Sequence, residues 1–281
     1  MAIILDGKVV SQKIKDELKV RAAKLAANGK SAALAVVIVG DNPASRVYVN
    51  GKKRDCEEIG ILTEEYALSG DTSEAEVFEL VDKLNNRADL SGILVQLPLP
   101  KHINEEKIIN SINPKKDVDA FHPVNVGKIM IGNHDFLPCT PAGVMAMLEA
   151  YDISVEGKEC VVIGRSNIVG KPQAMLLLHK NGTVTICHSR TKDLSEVTKR
   201  ADIVVVAIGV AEFLTGDMIK SGAVVIDVGM NKNSEGKLVG DVNFDECEKK
   251  ASAITPVPGG VGLMTRAILM ENTIKAAEKF A

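Results

Sequence analysis

Short runs of apolar, β-branched residues alternate along this chain with longer stretches that have helical periodicity. The first pattern is typical of buried parallel strands, and the second of helices that cover a sheet. We therefore predict an α/β fold with parallel sheets covered by helices on both faces. The predicted strands are residues 35–39, 92–96, 159–163, 183–187, 203–207 and 223–228. The main predicted helices are residues 11–28, capped by Ser11 and ended by Gly29, then 74–86, 170–180 and 265–280.

A proline-rich stretch between residues 113 and 143 interrupts this alternation. Its prolines, at positions 114, 123, 138 and 141, leave little sustained periodicity. Beyond residue 155 the alternation of strands and helices resumes around a glycine-rich turn, which is typical of a Rossmann-type nucleotide-binding domain. We therefore predict two αβα domains. The first comprises residues 1–140 together with 265–281, and the second comprises residues 141–264.

Composition and charge exclude several classes of protein. The formal net charge of -3 and the 3% aromatic content argue against a nucleic-acid partner bound by phosphate neutralisation and base stacking. The longest apolar run, residues 32–39, is far shorter than the roughly 20 residues that span a bilayer. The cysteines lack a Cys-x-x-Cys pair, the histidines lack metal-ligand spacing, and the first residues lack the basic and apolar regions of a secretion signal. We expect a cytoplasmic protein with no membrane span and no metal site.

A strand, a glycine turn and the start of a helix follow one another in residues 160–172. The helix would offer its N–H groups and the positive end of its dipole to a pyrophosphate, while Gly164 and Gly170 would permit close backbone approach. The pattern departs from G-x-G-x-x-G because Ser166 occupies the second glycine position and the last glycine is displaced by one. Ordinary turn glycines are therefore the alternative interpretation.

The end of the next predicted strand indicates which dinucleotide would bind. NAD sites usually carry an acidic residue there, but this chain continues from residue 188 as His-Ser-Arg-Thr. Arg165, Ser189 and Arg190 together could bind a 2′-phosphate, so we predict NADP rather than NAD. The alternative is that the arginines are solvated surface residues.

A second candidate site lies on the helix that is predicted to follow the first strand. Asn42 is suited to cap this helix, and Pro43 to its first position. Tyr48 and Lys52 are then one turn apart on a single face, toward the edge where α/β sheets bind ligands. Burial there would favour the neutral amine of Lys52 and allow it to relay protons. An amphipathic surface pair is the alternative.

Gln96 and Asp119 are expected at the same edge. Gln96 ends an apolar strand just before Leu-Pro-Leu-Pro, where an amide is unusual unless it binds a specific partner. Asp119 lies in the segment 116–119, Lys-Asp-Val-Asp, and Asp117 could instead be the residue that caps this loop. Because the residues alternate, we expect the two carboxylates to point in different directions.

The order of several segments makes the chain similar to a known family. The segments are residues 39–52, 92–100, 116–119, 164–172, 226–231, 239–242 and 255–262. Over essentially its whole length the chain resembles the bifunctional methylenetetrahydrofolate dehydrogenase/methenyltetrahydrofolate cyclohydrolases. The resemblance implies that 5,10-methylenetetrahydrofolate binds in a cleft between the two domains and is oxidised with NADP+. It also implies hydrolysis of the methenyl product to 10-formyltetrahydrofolate, a role in one-carbon metabolism, and a homodimer.

The resemblance further implies roles for individual residues. Lys52 would be the general acid and base of the cyclohydrolase step, with Gln96 hydrogen-bonded to it and tuning its protonation. Tyr48 would stack on the aminobenzoate ring of the folate, and Asp119 would hold the pterin edge. Further folate contacts would come from Pro258, Gly259, Gly260 and Val261. The residues that would contact NADP are Gly164, Arg165, Ser166, Ser189 and Met230, to which the phosphate argument above adds Arg190.

Three residues depart from the pattern of this family. Leu263 stands where proline is usual, Ala120 stands where glycine is usual, and Arg266 is an unexpected charge near the start of the last helix. None of them removes a proposed catalytic side chain. They therefore bear on the geometry of the substrate loop and on relative rates.

Two other functions remain as alternatives. A short-chain dehydrogenase also combines a Tyr-x-x-x-Lys pair with a Rossmann turn, but there the glycine turn comes first, whereas Tyr48 precedes Gly164 here. A non-catalytic NADP-sensing protein of the same fold is the other alternative, because a fold alone does not determine activity. The joint presence of Lys52, Gln96 and Asp119 argues against it.

Overall fold

The fold consists of short, mainly parallel strands and the helices that connect them. A computed structural model describes residues 2–280, except for the side chain of residue 44. Among the described residues, the one antiparallel pairing between named strands joins β9 to β10, so the predicted α/β class is confirmed. The strands are β1 (Ile3–Ile4), β2 (Ala33–Val39), β3 (Leu62–Leu68), β4 (Gly92–Val95), β5 (Glu159–Ile163), β6 (Thr183–Cys187), β7 (Ile203–Val206), β8 (Val224–Asp227), β9 (Asn231–Lys232), β10 (Leu238–Val239) and β11 (Ala253–Ile254).

The helices begin and end mostly where local signals place them. Gly29, with φ 71°, follows the first helix as predicted, but that helix begins at Gly7 rather than at Ser11. Asp6 Oδ1 accepts a hydrogen bond from Lys8 N at 2.7 Å near this start, whereas Ser11 is buried within the helix. The helices are α1 (Gly7–Ala27), α2 (Pro43–Ile59), α3 (Glu74–Asn85), α4 (Glu105–Ser111), α5 (Pro123–Met130), α6 (Cys139–Ala150), α7 (Gly170–His179), α8 (Leu194–Thr198), α9 (Phe244–Glu248) and α10 (Val261–Phe280).

The chain divides into two compact units, of which the first contains a sheet of three parallel strands. This three-stranded unit comprises residues 12–137 together with the residues from 266 onward. The strand order is β3-β2-β4, and every residue of the central strand β2 is buried. Val77, Val81 and Leu84 of α3 pack in the same core, because they recur at helical spacing on one face.

The second unit, the six-stranded unit, comprises the segment up to Ser11 and residues 138–265. Its strand order is β1-β11-β8-β7-β5-β6, with all pairings parallel. Because β5 lies between β6 and β7, the direction of winding reverses at the end of β5. In open α/β sheets, ligands bind outside the carboxyl ends of the strands at such a switch point.

The first residues of the chain lie in a different unit from the one predicted. The prediction assigned residues 1–140 and 265–281 to the first domain, but β1 pairs with β11 of the six-stranded unit. Ile3 N donates to Ser252 O and Leu5 N to Ile254 O, each at 2.8 Å. The partners are about 250 residues apart in sequence, so no local pattern indicates this pairing.

The sequence also gave no prediction for β3, which lies at an edge of its sheet. Three polar residues, 63–65, stand in succession in this strand, and most of its residues are half-buried, unlike the apolar runs of the predicted strands. Glu64 pairs with Arg87, and Glu65 with Arg46 and Lys53, so these carboxylates hold the outer strand to neighbouring segments. Within residues 2–280, no helix has the length and apolar character needed to cross a membrane.

Candidate active site

Lys52 and Gln96 meet in the three-stranded unit. Lys52 is buried, with 8% of its surface exposed, and its Nζ donates a hydrogen bond to Gln96 Oε1 at 3.0 Å. The Nε2 of Gln96 donates to Leu97 O at 2.7 Å. Because the amide nitrogen is held by the main chain, the amide oxygen faces the lysine. A buried amine beside a fixed acceptor is an arrangement suited to proton transfer.

The sheet explains why these two residues converge. Val37 of β2 is paired with Val95 of β4, and Gln96 N donates to Val37 O at 2.8 Å, so Gln96 lies at the carboxyl ends of both strands. The chain leaves β2 at the same edge and enters α2, where Asn42 Oδ1 accepts from Ser45 N at 3.2 Å. The predicted cap is therefore confirmed, and it starts the helix that carries Lys52.

Tyr48 lies one helical turn before Lys52 and is half-buried. Burial raises the pKa of its phenol above the ordinary value, and the positive charge of nearby Arg266 lowers it. The phenol is therefore neutral at physiological pH. A neutral, half-buried ring on this helix face can offer an aromatic surface to a ligand.

The two aspartates of the 116–119 segment have different environments. Asp117 is 1% exposed, and its Oδ2 accepts hydrogen bonds from His122 N and Asn125 Nδ2, both at 2.8 Å. Burial raises the pKa of the Asp117 carboxyl, and these hydrogen bonds oppose that shift. Asp117 is thus the capping member of the pair, while Asp119 is half-buried in the following turn. The bridge between Ile93 and Asp117 aligns this segment with β4.

In the six-stranded unit, the turn after β5 has the close backbone approach that a dinucleotide needs. Gly164 has φ 133°, and a Cβ there would lie 2.4 Å from Ala207 O. A Cβ on Gly170 would lie 2.3 Å from Gly164 O, so the first turn of α7 packs directly on the glycine turn. Both positions therefore require glycine for a physical reason beyond ordinary turn formation, and this cradle fits a pyrophosphate.

Ser166 modifies the predicted phosphate site. Its Oγ accepts hydrogen bonds from Val169 N at 3.1 Å and from Gly170 N at 3.2 Å. Two of the N–H groups expected to face a pyrophosphate are therefore already satisfied. The exposed hydroxyl can still donate its own proton, so a hydrogen bond from Ser166 to a phosphate oxygen stays a prediction.

The residues proposed to select NADP lie on neighbouring turns. β5 and β6 are paired from Glu159 with Thr183 to Ile163 with Cys187, so the segments that follow them emerge at one edge. Arg165 is exposed after β5, and Ser189 and Arg190 are exposed after β6. Neither guanidinium has an ionic partner in the described part of the chain. The turn is fixed locally, since Arg190 N donates to His188 Nδ1 at 3.1 Å.

Met230 and the 258–261 loop also lie in this unit. Met230 is 45% exposed after β8, and a Cβ on Gly262 would lie 3.6 Å from its sulfur. Gly259 has φ 110°, and its carbonyl accepts a hydrogen bond from Gly7 N at 2.9 Å. A Cβ on Gly7 would lie 2.1 Å from Gly260 O. Sequence reasoning missed Gly7, because a glycine near the start of a helix carries no local sign of such a contact.

A pair of buried aspartates holds the loops at this edge, and sequence reasoning did not single them out. Asp227 Oδ1 accepts from Gly229 N and Asp241 N, and Oδ2 accepts from Val242 N, all at 2.9 Å. Asp241 Oδ2 accepts from Ile208 N at 2.7 Å. Burial raises the pKa of Asp227 to about 6, although the backbone hydrogen bonds oppose the shift. The two carboxylates thus tie together the segments that follow β7, β8 and β10.

Two family models match the chain. The model for the tetrahydrofolate dehydrogenase/cyclohydrolase catalytic domain matches residues 5–119, and the model for the NAD(P)-binding domain of the same family matches residues 138–281. The chain belongs to this family. It is therefore a dehydrogenase/cyclohydrolase with a nucleotide-binding domain in its second half.

Similar members of the tetrahydrofolate dehydrogenase/cyclohydrolase family cover nearly the whole chain. The bifunctional protein FolD of Acetivibrio thermocellus is 64% identical over 277 residues, which are 99% of this chain and 97% of that protein. The crystal structure of the bifunctional FolD enzyme from Campylobacter jejuni has 51% identity, a TM-score of 0.98 and 100% coverage of both chains. The Trypanosoma brucei enzyme, complexed with NADP cofactor and inhibitor, has 37% identity, a TM-score of 0.95, and coverage of 99% of this chain and 98% of its own.

One departure from the pattern of the tetrahydrofolate dehydrogenase/cyclohydrolase family has a backbone consequence. Ala120 has φ 58° and is fully buried. Glycine adopts this left-handed conformation without strain, whereas alanine does so at a cost of about 1 kcal/mol. The chain therefore keeps the loop conformation that glycine would favour. Leu263, the second departure, is half-buried in the first turn of α10.

Proposed function

We propose that this enzyme oxidises 5,10-methylenetetrahydrofolate with NADP+ and hydrolyses the 5,10-methenyl product to 10-formyltetrahydrofolate. The hydrogen bond from Lys52 Nζ to Gln96 Oε1, in a chain of this family, carries the proposal. NADP+, when bound, supplies the acceptor for the hydride. The protein then has to position the two reactants and to manage the protons of the hydrolytic step.

Lys52 is the general acid and base of that hydrolytic step. Addition of water to the methenyl carbon requires a base that takes a proton from the water, and opening of the ring requires an acid that protonates the departing nitrogen. One amine can do both if it alternates between its neutral and charged forms. The burial of Lys52 favours the neutral form, and the oxygen of Gln96 favours the charged form. Gln96 therefore holds the amine in place beside a fixed acceptor during both proton transfers.

The remaining predicted residues bind the two ligands. Tyr48 stacks on the aminobenzoate ring of the folate, and Asp119 accepts hydrogen bonds from the pterin edge. Backbone contacts to the folate come from Pro258, Gly259, Gly260 and Val261. The residues that hold NADP are Gly164, Arg165, Ser166, Ser189, Arg190 and Met230.

The decisive experiment measures reduction of NADP+ by the purified protein in the presence of 5,10-methylenetetrahydrofolate. We expect NADPH formation, together with hydrolysis of added 5,10-methenyltetrahydrofolate. Binding of NADP+ without turnover of either folate would identify the non-catalytic NADP-sensing alternative. Absence of turnover with both NADP+ and NAD+ would contradict the proposed activity.

Arg190→Glu is expected to raise the KM for NADP+ about ten-fold or more, and the KM for NAD+ much less. A glutamate repels the 2′-phosphate, which NAD+ lacks. Initial rates with each dinucleotide measure the effect. Arg200→Glu, at an exposed arginine after α8, is the matched control and should leave the ratio of the two constants unchanged. Equal changes for both dinucleotides in Arg190→Glu would contradict the phosphate site.

We also propose that the enzyme is a cytoplasmic homodimer. The five cysteines are all free and buried, which suits a reducing compartment. Strand β6 ends the six-stranded sheet, and most of its side chains are exposed, so an edge is available for a second subunit. Sedimentation equilibrium should give twice the mass of the chain, and the mass of one chain would contradict the dimer.

A further inference from the structure

Arg266 lies in the second turn of α10, and its guanidinium covers Gly51 of α2, in the same unit. A Cβ on Gly51 would lie 2.2 Å from Nη1 of Arg266, and 3.3 Å from its Cζ. No larger residue fits at position 51 while the arginine keeps this place. Gly51 has no positive φ that would otherwise explain glycine here. The lack of a side chain at position 51 therefore leaves the room that the Arg266 guanidinium occupies.

Asp55 holds the inner end of the arginine. It is 5% exposed, and its Oδ2 lies 3.0 Å from Arg266 Nε. The Nε atom is buried, and in spite of this ionic contact its N–H makes no hydrogen bond to a described residue. Lys15 Nζ lies 3.4 Å from the other oxygen of Asp55. Asp55 thus pairs with Lys15 as well as with Arg266, so the neutralisation of its charge does not depend on the arginine alone.

The helical register places this arrangement beside the proposed catalytic residues. Tyr48, Gly51, Lys52 and Asp55 are related by steps of three and four residues, so they form one stripe along α2. The guanidinium covers Gly51, which lies three residues after Tyr48 on the same stripe, so the guanidinium lies on the Tyr48 side of the helix, and its charge lowers the pKa of the phenol. The arginine side chain remains 23% exposed. Its terminal N–H groups can therefore donate hydrogen bonds to a ligand that lies beside Tyr48.

We propose that Arg266 binds a carboxylate of the glutamate tail of the folate substrate. This inference rests on the proposed function. The glutamate carboxylates are the anionic groups of a tetrahydrofolate at neutral pH, and the glutamate is joined to the aminobenzoate ring. If Tyr48 stacks on that ring, the tail begins next to Tyr48, where the guanidinium lies. A planar guanidinium is the side chain best suited to bind a carboxylate through two hydrogen bonds.

The test compares the binding of tetrahydrofolate and of tetrahydropteroate, which lacks the glutamate. Arg266→Met should raise the dissociation constant of tetrahydrofolate about ten-fold or more, and leave that of tetrahydropteroate within about two-fold. Arg266→Lys, which keeps the charge but not the fork, should recover part of the loss. Lys15→Met removes the other cation at Asp55 and should leave both constants unchanged.

Gly51→Ala provides an independent variant, because it keeps the charge of Arg266 and displaces its guanidinium. It should also weaken tetrahydrofolate selectively, and it should add little to the effect of Arg266→Met in the double variant. Equal weakening of both ligands in Arg266→Met, or no weakening of either, would overturn the carboxylate site while the proposed function stands. Failure of the unmodified protein to bind either ligand would overturn the proposed function itself, and this inference with it.

Discussion

Lys52→Met is expected to lower the rate of methenyltetrahydrofolate hydrolysis by at least about a hundred-fold, while the folate still binds. Methionine is similar to lysine in length, but it cannot carry a proton. Gln96 Oε1 would also lose its hydrogen-bond donor, which lies 3.0 Å away in the unmodified protein. The effect should therefore appear in kcat for hydrolysis rather than in the dissociation constant of the folate.

The adjacent residue supplies a matched control for this experiment. Lys53 is on the same helix, but its Nζ pairs with Glu65 at 2.9 Å, away from Gln96. Lys53→Met should therefore retain hydrolysis within about two-fold, because exposed ion pairs contribute little. The measurement is the loss of methenyltetrahydrofolate absorbance with each variant. Full hydrolytic activity in Lys52→Met would remove Lys52 from the role proposed for it.

Gly240→Ala is expected to lower the free energy of unfolding by about 3 kcal/mol. The added Cβ would lie 1.8 Å from Asp227 Oδ2, which is closer than any non-bonded contact allows. The carboxylate or the loop must move, and the hydrogen bonds from Asp241 N and Val242 N to Asp227 are then weakened. Since Asp227 is 3% exposed, water cannot readily replace them.

Thermal unfolding of this variant should show a melting temperature about 6–12 °C below that of the unmodified protein. Gly127→Ala is the control, because Gly127 lies within α5 and nothing stands within 4 Å of an added Cβ. Alanine is favoured over glycine in a helix, so this variant should be as stable as the unmodified protein or up to about 1 kcal/mol more stable. A melting temperature of Gly240→Ala equal to that of the control would show that the hydrogen bonds to Asp227 do not stabilise the fold in this way.

The accuracy of the sequence prediction depended on whether the deciding interactions were local. The bounds of β5 and β6 match the predicted 159–163 and 183–187, because apolar runs between turn residues are a local signal. β3 was missed because its outer side chains form ion pairs, which replace the apolar pattern. β1 was missed because its two residues become a strand only by pairing with β11.

The candidate site shows the same distinction. Lys52 and Gln96 could be placed together from the sequence, because parallel strands bring their carboxyl ends to one edge. The position of Arg266 could not be derived, since it depends on the contact of α10 with Gly51 and Asp55 across more than two hundred residues. The sequence marked Arg266 only as an unexpected charge. The packing of Arg266 against Gly51 is what places it near Tyr48.

The pairing of β1 with β11 affects how the nucleotide-binding half of the enzyme can be divided for study. A fragment beginning at Pro138 would lack the strand that covers β11, and would leave that edge open to pairing with another chain. It would also lack Gly7, which contacts the Gly259–Gly260 turn through its N–H and its backbone surface. An autonomous version of this half therefore has to carry residues 2–11, joined through a linker or by circular permutation, even though more than a hundred residues separate them from Pro138 in the sequence.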